Sequence, residues 1–233
     1  MDENSLKVLT QEEFDNAANH SNSRFVRFEN KIVDIKNVFN FMCYMFTCCK
    51  IIGIKDEAYN LPFASEFVFH SCEIVDCEKI SDVTCRHAYF ENCSFVKHPP
   101  LACPTEGEFI GWKKCFWTKV NEFGHRMFPY PYQETCLVKL LIPANAKRSS
   151  AFTNKCRCNK AKVLEVYNSI TDNELTGNFI VYSSWVDKRY YKPLYYEKGK
   201  IVYPDSFDEN RYRACSNGIH FFMDKEEARR YPI

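Results

Sequence analysis

From about Arg24 to Lys97 the apolar positions recur every five residues, a period that belongs neither to a helix nor to an isolated strand. Val75, Ile80, Cys85, Phe90 and Phe95 form one unbroken series, and Val83, Ala88 and Cys93 stand two residues before its last three members. Phe41, Phe46 and Ile51 repeat behind Phe39, Tyr44 and Cys49, while Phe67, Cys72 and Cys77 run beside Phe69 and Ile74. If each five-residue unit forms one short side of a coil, its central residue and the residue two before it both point inward, and stacked coils bury continuous columns. A plain β-meander with the same spacing is the simpler alternative. Residues 55–66 (KDEAYNLPFASE) interrupt the rhythm. Ahead of it, Thr10 followed by Glu13, with Phe14, Ala17 and Ala18 beyond, predicts a short helix with a capping-box start.

The rhythm stops in HPPLACPTEG (98–107), where three prolines and a glycine interrupt any ladder. The expected organisation is therefore a helical cap over 1–23, a coil over 24–97, a linker over 98–106 and a second module over 107–233. In that module strands are expected at Thr135–Ile142, at Lys160–Tyr167 with Ala161, Val163, Glu165 and Tyr167 on one face, at Phe179–Tyr182, at Ile201–Tyr203 and at Gly218–Phe222. Asp224 with Glu227 three residues later starts a closing helix. The second module reads as mixed α+β.

The run HAYFENCSF (87–95) and the columns around it resemble the pentapeptide-repeat family, whose units read roughly A-(D/N)-L-x-x. That resemblance implies a short right-handed quadrilateral β-helix of three to four coils, so the expected fold class is mainly β with α+β. Gly111-Trp112-Lys113, Leu141 to Arg148 (LIPANAKR), Lys155 to Val163 (KCRCNKAKV), Tyr203 to Asp208 (YPDSFD) and Cys215 to Phe222 (CSNGIHFF) together resemble a domain of unknown function. That domain accompanies such repeats in bacteria and their viruses, and the resemblance spans roughly 107–231.

Charge sharpens the division. Residues 1–108 carry 10 basic and 17 acidic side chains, net −7, and the rest carry 21 and 13, net +8, within an overall +1. With 45% hydrophobic and 16% aromatic residues the chain can bury a sizeable core, and disorder is excluded. No apolar run is long enough to span a bilayer, and the start MDENSLKVLTQEEF has no signal-peptide pattern, so a cytoplasmic protein is expected. Its thirteen cysteines then read as reduced, mostly buried thiols. Cys48-Cys49, Cys156-x-Cys158 and Cys215 with His220 offer soft ligands, but no pair of CxxC knuckles repeats at zinc-ribbon spacing, so no metal and no cofactor are expected.

Candidate chemistry falls in the basic half. Lys147, Arg148, Lys155, Arg157, Lys160 and Lys162, with Ser149, Ser150 and Thr153 among them, could converge on a phosphate. A solvated basic loop is the bland alternative. Cys215 and His220 form a weak thiolate–imidazole candidate across a Ser-Asn-Gly turn. The phrase GIHFF followed by a helix resembles the ADP-ribosyltransferase segment in which a Gly-Ile-Tyr-Phe strand precedes a helix, with His220 replacing the tyrosine. It implies a nucleotide-shaped cleft lined by His220, Tyr203, Tyr212 and Trp185, although the family's upstream His-x-Gly and downstream catalytic Glu have no counterparts. The expected function is thus non-enzymatic binding of a small anionic, nucleotide-like ligand, or of a partner protein, through the basic module. The rivals are a nucleotide-processing enzyme and an interaction scaffold with an acidic, DNA-mimicking coil. Direct nucleic-acid binding is disfavoured, since no recognised binding motif is present. Association of two copies through their unlike halves is a further expectation.

Overall fold

The computed structural model describes residues 6–21, 23, 25–36, 38, 42–54, 65–75, 85–96, 101–125, 134–150, 153–183, 193–213, 216–231 and 233. After β1 (Lys7–Leu9) and helix α1 (Gln11–His20), the chain four times runs as a strand, bends, and continues as a second strand. The pairs are β2 (Phe25–Glu29) with β3 (Lys31–Ile35), β4 (Cys43–Thr47) with β5 (Lys50–Ile54), β6 (Ser65–His70) with β7 (Glu73–Ile74), and β8 (Cys85–Glu91) with β9 (Ser94–Phe95). Each bend holds one residue in left-handed backbone: Asn30, Cys48, Ser71 and Asn92, with φ between 52° and 54°. A single residue of this kind turns the chain sharply without a loop, which Asn tolerates best among non-glycine residues.

The first strands of the pairs form one parallel sheet, β2-β4-β6-β8, and the second strands join β1 in another, β1-β3-β5-β7-β9. This corrects the expected four-sided coil: the described strands make two parallel sheets, not four faces, and the module is not a quadrilateral β-helix. The five-residue period instead reflects strands of about five residues whose alternate positions face inward on both sides of a bend. What stacks is more distant in sequence. Phe28, Phe46, Phe69 and Phe90, in register across β2, β4, β6 and β8, lie with ring centroids 5.5, 5.3 and 4.6 Å apart. Such offset pairs contribute about 0.5–1.5 kcal/mol each beyond their burial. Helix α1 starts as expected: the Glu13 amide donates to Thr10 Oγ1 and the Thr10 amide to the Glu13 carboxylate. It buries Phe14 against Tyr44, 4.7 Å between centroids.

The remaining elements are β10 (Phe109–Lys119), β11 (Glu134–Ile142), β12 (Arg148–Ser150), β13 (Cys156–Cys158), β14 (Ala161–Asn168), β15 (Phe179–Tyr182), β16 (Ile201–Val202), β17 (Ile219–Phe221) and helix α2 (Lys225–Arg230). A curled antiparallel sheet, β15-β10-β11-β14-β16, is the centre, and β12-β13-β17 is a smaller sheet. The expected α+β character is corrected accordingly: among the described residues beyond 102 the one helix is the six-residue α2. On one face of the large sheet Leu137, Phe222 and Ala228 bury together under Trp112, Tyr167 and Tyr231. On the other, Lys113, Cys115 and Trp117 of β10 stand opposite Val138, Cys136 and Glu134 of β11. A bulge corrects the expected face of β14. The register passes from Leu140↔Val163 to Lys139↔Glu165, so Leu164 is the extra residue and buried Val166, not Tyr167, continues the side of Ala161 and Val163.

The chain forms two compact units: Met1–Ala102 with Ser150–Lys155 and Asn210–Ser216, and Cys103–Ser149 with Cys156–Glu209 and Asn217–Ile233. No helix among the described residues is long and apolar enough to cross a membrane.

Candidate functional site

The cations of residues 147–162 do not gather at one point. Lys147 Nζ pairs with the Glu209 carboxylate, and Arg148 is spent on backbone. Its Nη2 donates to the carbonyls of Pro143 and Ala144 at 2.8 and 2.9 Å, its Nη1 to those of Pro104 and Gly107 at 3.2 and 3.1 Å, and its Nε to that of Ala146 at 3.2 Å. Lys155 is buried and belongs to the first unit. Lys160 is half-buried ahead of β14, and Lys162 is exposed on it. Of the expected aromatics, Tyr203 is exposed after β16, and Tyr212 belongs to the first unit, stacked on Phe95 at 4.5 Å. Trp185 and Cys215 lie outside the described residues, so the thiolate–imidazole pair has no described geometry.

Two expected residues do meet. Arg157 at the middle of β13 stands directly opposite His220 at the middle of β17, which puts both side chains on one face of the small sheet. The opposite edge extends this row. The Asn159 amide donates to the Lys147 carbonyl at 3.1 Å, and β12 and β13 are too close in sequence for a parallel crossover, so they run antiparallel. Counting inward from that bond sets Ser149 against Arg157. Ser149 and Arg157 are 2% and 1% exposed, and Ser149 Oγ has no hydrogen-bond partner among the described residues. His220 is half-buried. Gly218 eases the close packing here: its φ is 145°, and a Cβ would crowd Arg157 Cβ at 3.3 Å. A hydroxyl, a guanidinium and an imidazole in a row suit an oxyanion.

The open site of the second unit lies elsewhere, at the β15 edge of the large sheet. A cleft of about 680 Å³ is bounded by the end of β10, by 177–181 and by 195–198. Its first wall is a tight turn in which Asn121 Oδ1 accepts from the amides of Phe123 and His125 at 3.1 and 2.8 Å, with Gly124 at φ 77°. The second wall is β15 itself. Phe179 meets Trp117 edge-on at 6.3 Å, and Asn178 is held because its carbonyl accepts from the Val120 amide at 3.1 Å. Residues 194–196 run along the outer edge of β15, with the Tyr196 amide donating to the Val181 carbonyl at 3.0 Å. This leaves Tyr195 exposed at 56% and Tyr196 buried at 3%. Among the described residues Tyr196 Oη and Trp117 Nε1 have no hydrogen-bond partner.

Charge in this cleft does not favour an anion. Glu122 and Glu197 are exposed lining residues, while Lys198, the cation of the lining, pairs with Glu174 and is thereby raised above its ordinary pKa. Behind the cleft the chemistry is inert. Burial, with the Cys115 and Cys158 sulfurs nearby, holds Tyr196 well above the ordinary phenol range. Burial likewise pushes Cys115 and Cys158 up to about 12 and Cys136 far up, so these remain neutral thiols that fill space. Among the described residues no group of three His, Cys, Asp or Glu side chains is arranged to hold a metal ion.

Sequence reasoning missed Phe179, Tyr195 and Tyr196 as a site, and missed β10 as a strand because its lysines blur the alternation. The cue was local: a Gly-Asn pair before an apolar strand, and an aromatic pair before a Lys-Gly turn. Residues 99–228 match the model of a family described as "Family of unknown function (DUF5758)", which covers more than half of the chain, and the chain belongs to that family. No curated protein and no solved structure matches it significantly.

Proposed function

We propose that this chain is a non-enzymatic binding protein whose second unit takes a small nucleoside-like molecule, its ring held in the cleft beside β15. The observation that carries this is the cleft itself. Its volume falls in the range of small-molecule sites, its walls are largely apolar and aromatic, and its few polar groups stand at fixed places. An exposed Tyr195 and the edge-held Phe179 offer faces for a flat ring, and the Asn178 amide can read its rim. Glu122 and Glu197 suit sugar hydroxyls better than phosphate. The first unit, whose residues 87–95 resemble a pentapeptide repeat in sequence, serves on this reading as support.

The Ser149–Arg157–His220 row favours a second reading, in which an anion alone is the ligand, because Ser149 Oγ is a buried hydroxyl without a hydrogen-bond partner among the described residues. Thermal unfolding and native mass spectrometry with adenosine, adenosine monophosphate and inorganic phosphate separate the two. Saturating ligand stabilises by about 2.7 kcal/mol at a hundredfold excess over Kd, a rise on the order of 5 °C for a chain of this size. A rise with nucleosides that disappears in Tyr195→Ala supports the cleft. A rise confined to phosphate-bearing compounds and lost in His220→Ala supports the row. No rise across a broad panel of nucleosides and nucleotides, and none with inorganic phosphate, would sink both.

A further inference from the structure

Three cysteines of the first unit occupy equivalent places on successive repeats. Cys49, Cys72 and Cys93 each follow a residue in left-handed backbone, Cys48, Ser71 and Asn92. The Glu73 amide donates to the Cys49 carbonyl at 2.9 Å and the Ser94 amide to the Cys72 carbonyl at 3.0 Å, so the three stand in register on neighbouring parallel strands. Neighbours in such a ladder are about 4.8 Å apart, inside the range of Cα separations that a disulfide spans. Their thiols are held alike. Each thiol donates to the carbonyl two residues before it and to one on the preceding repeat: Cys49 to Thr47 and Phe28, Cys72 to His70 and Phe46, Cys93 to Glu91 and Phe69, all between 3.3 and 3.6 Å.

The two ends differ in access. Cys49 and Cys72 are buried, whereas Cys93, on the last repeat, is partly exposed. A small cavity of about 260 Å³, lined by Ser71, Cys72, Asn92 and Ser94 among others, opens beside the middle thiol. Cysteines that merely fill an interior need neither a shared register nor an open end.

We infer that this column is a two-electron redox site, in which Cys93 is the peroxide-reactive thiol and Cys72 resolves it. The Cys93 thiolate attacks one oxygen of a hydroperoxide; the O–O bond breaks, the sulfur becomes a sulfenic acid and the other oxygen leaves as hydroxide or alkoxide, which takes up a proton. The Cys72 thiol gives up its proton as it attacks the sulfenic sulfur, the S–S bond forms, and the sulfenic oxygen takes that proton and leaves as water. With hydrogen peroxide the sum is two thiols and one peroxide giving one disulfide and two waters, the peroxide being reduced. Hydrogen bonding with Cys72 lowers the Cys93 pKa against the opposing effect of burial, which raises its thiolate fraction.

Intact full-length protein, reduced and freed of reductant, is titrated with hydrogen peroxide, alkylated with iodoacetamide and mapped by peptide mass spectrometry. The expected result is a Cys72–Cys93 linked peptide at stoichiometric peroxide, ahead of any change at Cys48 or Cys103. Cys72→Ser should then leave a dimedone-reactive sulfenic acid on Cys93, and Cys93→Ala should abolish the link. A wild-type map in which Cys93 stays reduced, is overoxidised without a link, or in which Cys72 couples to Cys49 instead, overturns the assignment. Because that map needs no variant, a misfolded substitution cannot rescue the assignment.

Discussion

Arg148 shows what a charge in a sequence can and cannot reveal. Its five hydrogen bonds go to carbonyl oxygens, two of them on residues 104 and 107, and its guanidinium lies 5.0 Å over the Phe109 ring. A lysine keeps the charge but has three donors on a point and no planar fork. Arg148→Lys should therefore destabilise the fold by about 1–3 kcal/mol, read as a lower urea midpoint with an unchanged slope, while a nucleoside-induced rise in Tm persists. The basic run was legible as composition, but its use was not, because the partners are backbone carbonyls, which carry no mark in the sequence, and two of them lie some forty residues upstream. Gly111 makes the same point for packing. A Cβ there would lie 2.6 Å from Phe221 Cδ2, so Gly111→Ala forces a ring or a strand to move, at a cost of about 1–3 kcal/mol, measurable in the same denaturation experiment.

Local elements were legible where their signals are local. Thr10 and Glu13 form the capping box that their spacing predicts, and Thr10→Ala should cost about 1 kcal/mol, seen as a small fall in Tm. At the other end Asp224 Oδ1 accepts from the amides of Glu226 and Glu227 at 2.8 and 2.9 Å, again as the sequence suggests. Less legible was what fastens α2. Asp172 takes Lys225 at 2.6 Å and Arg229 at 2.9 Å, and hydrogen bonds from these two cations hold its carboxyl below the ordinary range. A carboxylate with a depressed folded pKa adds stability that is complete above its unfolded value, about 3.9, and is lost as pH falls through the lower folded one. Asp172 is half exposed, so solvent screening reduces the effect to about 0.5 kcal/mol. Asp172→Asn should accordingly lower stability slightly at pH 7, less in high salt, and not at all once pH is below the folded value. The bulge at Leu164 and the stacking of repeats escaped sequence reasoning for one physical reason. Both depend on which strand lies alongside, and the in-register phenylalanines are separated by 18, 23 and 21 residues, spacings without a fixed period.

At the scale of the whole molecule the order of residues misleads about charge. Counted along the chain the halves carry −7 and +8, but the first compact unit also takes Lys155, Arg211 and Arg213 from the C-terminal sequence. It then holds 13 basic and 15 acidic residues, net −2, against 18 and 15, net +3, in the second. A charge difference this small gives little drive for head-to-tail association of two copies. The same exchange bears on whether residues 1–102 can stand alone. β8 is an edge of its sheet, and its outer side is covered by residues of the 210–216 segment: Tyr89 bridges to Arg213, the Phe90 amide donates to the Tyr212 carbonyl at 3.3 Å, and Tyr212 stacks on Phe95. Cutting the chain at 102 removes that cover and leaves a long parallel edge with unpaired amides and carbonyls, a template for pairing with another chain. A fragment of residues 1–102 should therefore self-associate under conditions in which the intact protein does not, as seen by light scattering coupled to size-exclusion chromatography. The intact chain, threaded between units at 102, 149, 155, 209 and 216, should unfold in one transition by both far- and near-ultraviolet circular dichroism. A monomeric fragment that keeps its β-sheet signal, or two resolved transitions in the intact protein, would show that the exchanged segments are not needed to complete the first unit.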